Sequence, residues 1–185
     1  MLQELWSFLK NPFFEEDENT SDTYRLKVLL KLLVIALISS IVFAGITELI
    51  AEFLNPELGK HAIEEALENY SPWFLLFGAV VLAPLFEEFF FRGPMVFFRD
   101  KSYFKYIFYV LTLIFGFIHI SNFEITKTTL LLSPILVAPQ ISAGFFLGFI
   151  RVRFGLIWAM VLHSLYNLIL IGPLVVFQLL DIPIE

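Results

Sequence analysis

Residues 84–93 read Pro84-Leu85-Phe86-Glu87-Glu88-Phe89-Phe90-Phe91-Arg92-Gly93, two adjacent carboxylates and a guanidinium set in an otherwise apolar, aromatic segment. Packing alone does not call for these charges. On insertion scales a charged residue at the centre of a membrane helix costs roughly 2.5–3.5 kcal/mol, so such residues face a protein interior, pair with one another and mark a functional site. At about 3.6 residues per turn, Glu88 and Arg92 share a helix face and can pair, while Glu87 sits about 100° further round. Glu88 is then held, and Glu87 stays available for chemistry.

The surrounding chain fixes the medium. Hydrophobic residues make up 58% of the 185 residues and mean hydropathy is +0.81, which leaves too little polar surface for a water-soluble core, so lipid is the solvent. Five apolar stretches, Leu26 to Leu54, Pro72 to Phe98, Tyr103 to Ile120, Thr129 to Ile150 and Leu156 to Leu180, each approach or exceed the ~20 residues a spanning helix needs. The expected fold is all-α, a polytopic integral membrane bundle of about five helices. Gly93-Pro94 is expected to end or kink the second span and Gly172-Pro173 to break the last, because proline removes a backbone donor and clashes with the preceding turn.

Ahead of the bundle, Leu2, Leu5, Trp6, Leu9 and Phe13 recur at helical spacing opposite Gln3, Glu4, Ser7 and Lys10, the pattern of an interfacial amphipathic helix. Glu15 to Asp22 reads as a solvated acidic linker. The chain therefore divides into residues 1–25, an interfacial helix with its linker, and 26–180, a transmembrane domain. The first apolar run is long, with no cleavage-site pattern behind it, and is expected to be an uncleaved span.

Charge orients the bundle. Lys10, Arg25, Lys27, Lys31, Arg92, Arg99, Lys101, Lys105, Arg151 and Arg153 fall on one side, and only Lys60 and Lys127 on the other. By the positive-inside rule the N-terminus is cytoplasmic, the acidic loop from Glu52 to Glu68 is outside and so is the tail from Asp181 to Glu185. Net charge is −6 and the basic residues form no continuous stripe, so nucleic acid is not an expected partner. With no cysteine, disulfides, thiolate nucleophiles and cysteine zinc sites are excluded.

Two further spans carry polar groups. The third holds Phe115-Gly116-Phe117-Ile118-His119 and the fifth His163-Ser164-Leu165-Tyr166-Asn167. Phe115 with His119, and His163 with Asn167, each stand at i, i+4 on one face, and Gly116 permits close approach of a neighbouring helix. A straight-helix rise of about 1.5 Å per residue puts Glu87 ~16 Å, His119 ~24 Å and His163 ~10 Å from the cytoplasmic ends of their spans, levels that overlap only loosely. A single intramembrane histidine is as often a structural hydrogen-bond partner as a reactive group, and Glu88 with Arg92 can be a structural pair. Glu48, Ser133, Gln140 and Ser142 read as packing or interface residues, and His61 as solvated. The combination is what points to chemistry: a second carboxylate with nothing obvious to neutralise it, two histidines and an asparagine on three helices.

Glu87-Glu88-x-x-x-Arg92, Phe115-x-x-x-His119 and His163-x-x-x-Asn167, in that order on successive apolar spans, resemble the three signature motifs of the CPBP family, the CAAX-protease and bacteriocin-processing (Abi) intramembrane proteases, CAAX prenyl protease 2-like. The likeness covers about residues 72–170. It implies an intramembrane endopeptidase of a prokaryotic plasma membrane acting on a peptide or membrane-protein substrate. Glu87 and His119 would activate water, His163 and Asn167 would stabilise the oxyanion, and Arg92, held by Glu88, would order the site or contact the substrate backbone. No cofactor or obligatory metal is implied. Three other readings stay open. Two Glu and two His are a credible zinc or di-metal set, although no His-Glu-x-x-His occurs and Arg92 adds a cation beside it. A non-catalytic bacteriocin-immunity or scaffold protein would keep the fold, and a proton-coupled transporter would use intramembrane Glu and His, without the inverted repeats common to that class.

Overall fold

The computed structural model describes residues 1–54, 58–59 and 61–182, and every regular element among them is helical. In chain order these are α1 (Leu2–Lys10), α2 (Asp22–Leu54), α3 (Ala62–Asn69), α4 (Pro72–Phe77), a π-helical turn (Gly78–Leu82), α5 (Ala83–Phe91), a 3-10 segment (Gly93–Phe98), α6 (Phe104–Ile118), a second 3-10 segment (His119–Asn122), α7 (Lys127–Leu136), α8 (Ala138–Phe154) and α9 (Leu156–Leu179). Five stretches are long and apolar enough to cross a bilayer: Asp22–Ile50, Pro72–Phe98, Phe104–Asn122, Lys127–Phe154 and Leu156–Leu179. These are the five expected spans, and the fold is a polytopic helical membrane bundle. Glu57 and Lys60 of the acidic loop, and residues 183–185 of the tail, lie outside the described residues.

The centre of the bundle is α8, whose Ala143, Gly144, Phe146, Leu147, Gly148, Phe149 and Ile150 are all buried against α2, α6 and α9. Its outward neighbours present apolar side chains to the lipid, as with Leu131 at 80% and Ile157 at 74% exposure. Since lipid tails are as apolar as leucine, close packing and interhelical hydrogen bonds must hold such helices together. Glycine supplies the first: a Cβ on Gly116 of α6 would stand 3.2 Å from the backbone N and Cα of Ile141 of α8. Hydroxyls supply the second, with Ser39 of α2 2.9 Å from Ser142 of α8 and Ser40 2.5 Å from Tyr166 of α9.

Proline effects differ by site. Pro94 ends α5 as expected, turning the chain into the 3-10 segment. The fourth span breaks at Val137, between Pro134 in α7 and Pro139 at the start of α8. Against expectation, α9 runs unbroken through Gly172-Pro173. Its far end is anchored by the Gln178 amide, which donates to Leu67 O at 2.7 Å and Tyr70 O at 3.1 Å, and membrane helices tolerate proline when surrounding contacts compensate.

The N-terminal helix has two apolar faces rather than one. Leu5 and Phe8 are buried, Phe8 meeting Phe108 and Phe149 edge-on at 5.1 and 5.2 Å, while Leu2 and Trp6 remain exposed. The acidic stretch behind it is only partly solvated. Asp17 accepts from Arg153 of α8 at 2.5 Å and from the Tyr24 hydroxyl at 2.9 Å, and its backbone N–H donates to Arg153 O at 3.0 Å. His61 also departs from the solvated reading. Its Nδ1 accepts from Ile63 N at 3.2 Å as the cap of α3, and its ring meets Phe123 edge-on at 4.8 Å. Burial moves its pKa below the ordinary imidazole value, with Glu64 opposing.

Candidate active site

The backbone that carries Glu87 is shaped by Pro84. Proline has no N–H, so the turn before it widens: Ala83 N–H bonds back to Gly78 O, the π-helical pattern, which is a frequent feature of functional sites. On that pattern Ala79 O would need a donor from residue 84 and finds none. The Asn167 amide of α9 supplies one, Nδ2 donating at 2.8 Å. Asn167 thus spends one of its two N–H groups bracing the turn that leads into α5.

Glu88 and Arg92 are both fully buried and pair at 3.1 Å. Arg92 also donates from Nη2 to Gly144 O at 3.3 Å and lies over the Phe115 ring at 3.8 Å. Gly144 makes room for it, since a Cβ there would fall 3.2 Å from Nη2 and 3.1 Å from Phe115 and Thr112. Glu88 Oε1 additionally meets His163 Nδ1 at 2.9 Å. The expected pairing of Glu88 with Arg92 is present, and His163 joins it.

His119 is positioned by the end of α6. As the helix tightens into 3-10 geometry, His119 N–H bonds to Gly116 O rather than Phe115 O, and Phe115 O lies 2.8 Å from the Nδ1 of His119's own side chain. A carbonyl only accepts, so Nδ1 carries the hydrogen and Nε2 of the neutral ring presents a lone pair. His163 Nδ1–H likewise donates to an acceptor, the Glu88 carboxylate, at 2.9 Å. Both Nε2 atoms face Glu87 Oε2, His119 at 3.9 Å and His163 at 3.8 Å. These separations exceed a direct hydrogen bond and match a single oxygen bonded to each, the geometry of a bridging water or a substrate oxygen. Glu87 Oε2 is buried and has no direct hydrogen-bond partner.

Glu87, Glu88, Arg92, His119 and His163 therefore converge, despite the loose overlap of their straight-helix depths. That ruler treats span two as one α-helix, whereas it is α4, a π turn, α5 and a 3-10 segment. Asn167 instead meets the π-helical turn that precedes α5, at Ala79 O. Among the described residues, no group of three His, Asp or Glu side chains has the arrangement of a metal-ligand set. Ser142 bridges to α2, Ser133 donates to Leu130 O at 2.8 Å, Glu48 is exposed on α2, and Gln140 Oε1 is buried without a partner. Sequence reasoning missed Gly144 and Ala79, and treated Arg151 only as a topological charge. Arg151 is buried and its Nε donates to Arg92 O at 3.0 Å.

A polytopic helical membrane protein with a carboxylate, two imidazoles and a buried ion pair inside the bundle has the parts of an intramembrane hydrolase. The family model described as type II CAAX prenyl endopeptidase Rce1-like matches residues 69–169, more than half of the chain, and the chain belongs to that family of intramembrane proteases. No curated protein and no solved structure matches it.

Proposed function

We propose that the protein is a glutamate-dependent endopeptidase that hydrolyses a peptide bond of a membrane-associated substrate, with the N-terminus cytoplasmic. Glu87 and His119 hold and deprotonate a water as it attacks the substrate carbonyl carbon, the proton passing to the Glu87 carboxylate. The carbonyl oxygen becomes the oxyanion. His163 donates to it from Nε2 as an imidazolium, its Nδ1–H held by the Glu88 carboxylate, and the second N–H of Asn167 is the other donor. Collapse breaks the C–N bond, and the Glu87 proton leaves with the amine. Arg92 neutralises Glu88, so that Glu87 alone acts as base.

The observation that carries this reading is the convergence of both imidazole Nε2 atoms on Glu87 Oε2 at 3.8 and 3.9 Å. Membership of a CAAX prenyl endopeptidase family supports a substrate with a lipidated cysteine near its C-terminus. The test uses the purified protein in proteoliposomes with two membrane-anchored peptides, identical except that one carries a prenylated cysteine, and mass mapping of the products. Cleavage C-terminal to the lipidated cysteine in that peptide alone is expected. Equal cleavage of both would remove lipid recognition while keeping the protease, and cleavage of neither would overturn the proposal for this substrate class.

A further inference from the structure

Two arginines tie the site-bearing helix to α8 in opposite senses. Arg92 at the end of α5 sends its side chain to the backbone of α8, at Gly144 O, 3.3 Å away. Arg151 of α8 sends its side chain to the backbone of α5, at Arg92 O, 3.0 Å away. A helix end leaves carbonyls without intrahelical partners, and a cation there is favoured by the helix dipole. Arg92 O has no partner within α5 and accepts weakly from Met95 N–H at 3.3 Å as the 3-10 segment begins, which leaves its second lone pair to Arg151; Arg151 is 7% exposed, so the contact is inside the protein and screened little by salt. The clasp fixes both the end of α5 and the guanidinium that positions Glu88.

Arg151 is itself seated by the N-terminal segment. Its guanidinium lies 5.7 Å from the Phe14 ring, and Phe14 packs edge-on to Phe104 at 5.6 Å. Two residues further along α8, Arg153 pairs with both Glu4 and Asp17, and Tyr109 of α6 donates to Leu9 O at 2.8 Å. Residues 1–21 thus form a strap across the ends of α6 and α8 that closes over the Arg151 contact.

We infer that Arg151 is a positioning residue for the reaction, holding the Arg92–Glu88–His163 chain in register from outside the site, and that the strap keeps it there. The chain of contacts runs from Phe14 to Arg151, to Arg92 O, and through the Arg92 side chain to Glu88 and His163. Arg151 touches neither Glu87 nor either imidazole, so it acts on the placement of reacting groups rather than on substrate binding. This inference rests on the protease reading for its kinetic readout, and a second readout is independent of activity.

The test compares Arg151→Met, Arg151→Lys and the unchanged protein in detergent, each first shown to unfold cooperatively. Imidazole 15N resonances of His119 and His163 are followed, and kcat and KM are measured on whichever membrane-anchored peptide the unchanged protein cleaves. Misplacement of a reacting group by about 1 Å can cost up to roughly a hundredfold in rate. Arg151→Met is expected to lower kcat by about ten- to a hundredfold with KM within twofold, and to shift the His163 resonances. Arg151→Lys, which can still donate to Arg92 O, is expected to recover much of kcat and the His163 spectrum. Folded Arg151→Met with native kcat and native imidazole resonances would overturn the inference, as would a loss of stability alone with both readouts unmoved. If Arg151→Met does not fold, Arg151→Lys and Arg151→Gln decide it, Gln being expected to retain one donor and an intermediate rate. If no peptide is cleaved by the unchanged protein, the protease reading has failed while the resonances still decide the role of Arg151.

Discussion

Glu88 and Arg92, one helical turn apart on α5, pair at 3.1 Å with neither side chain exposed. The pair is completed by His163 on Glu88 and by Gly144 O on Arg92, so each charge has more than one partner. Removing one member of a buried pair leaves the other uncompensated and typically costs about 3–5 kcal/mol. Arg92→Met is therefore expected to lower the unfolding midpoint more than Arg99→Met, whose guanidinium is exposed beside Asp100 and worth at most about 1 kcal/mol. Thermal unfolding in detergent measures both, and equal midpoints would contradict a structural role for the pair.

The second expectation concerns glycine. A Cβ on Gly116 would overlap Ile141 Cγ1 and press on the Ile141 backbone, whereas one on Gly45 of α2 meets nothing within 4 Å. Gly116→Ala is expected to destabilise by about 1–3 kcal/mol through overpacking. Gly45→Ala is expected to be neutral or slightly stabilising, because alanine surrenders less backbone freedom on entering a helix. The same unfolding assay separates them.

The strap should detach in acid. Burial alone would push the Asp17 carboxyl up, but the hydrogen bonds from Arg153, the Asn19 N–H and the Tyr24 hydroxyl, with the Arg153 charge, outweigh it and hold its pKa below the ordinary 3.8. A carboxyl depressed in the attached state adds stability above its free value and loses it as pH falls through the attached value. Hydrogen exchange of the 11–21 amides, corrected for intrinsic rate, is expected to quicken below about pH 3.8. In Asp17→Asn the exchange should be fast already near neutrality and nearly flat with pH. A variant exchanging as slowly as the unchanged protein would show that the carboxylate does not hold the strap.

Orientation is checked by labelling. The chain has no cysteine, so Asp100→Cys and Glu65→Cys each introduce one thiol at an exposed position. In sealed right-side-out vesicles an impermeant maleimide is expected to label position 65 and to reach position 100 only after lysis. The reverse pattern would invert the bundle and place the strap outside.

Much of this was legible in the sequence because apolar length and i, i+4 spacing report directly on membrane helices. The five spans and the Glu88 and Arg92 pair follow from those two signals, while the grouping of His119 and His163 with Glu87 came from the combination of polar residues on three helices and the likeness of the three motifs. What stayed hidden depends on contacts that no local period encodes. The depths of Glu87, His119 and His163 were measured along straight α-helices, whereas between Glu87 and Phe98 the second span leaves α-helical geometry at Gly93-Pro94. Asn167 was read as a donor to the reaction, yet one of its N–H groups serves Ala79 O, a demand visible only once the π turn exists. Arg151 looked like a topology marker because a single letter cannot show whether a cation near a helix end turns to water or to a neighbour's carbonyl. The two faces of α1 were masked likewise, since burial against protein and burial in lipid both select apolar residues.

The central claim is that Glu87 is the base and Glu88 is not. Loss of one oxyanion donor typically costs about 10²- to 10³-fold in kcat, roughly 2.7–4 kcal/mol, so Asn167→Ala is expected to be impaired but measurable and sets the scale. The decisive measurement is single-turnover cleavage by Glu87→Gln in proteoliposomes, with cooperative unfolding demonstrated beforehand and a peptide that the unchanged protein cleaves. Glu87→Gln keeps the size of the side chain and removes the carboxylate that faces both imidazoles, and is expected to fall below Asn167→Ala to the rate of empty liposomes. Near-native turnover by folded Glu87→Gln would contradict the mechanism outright.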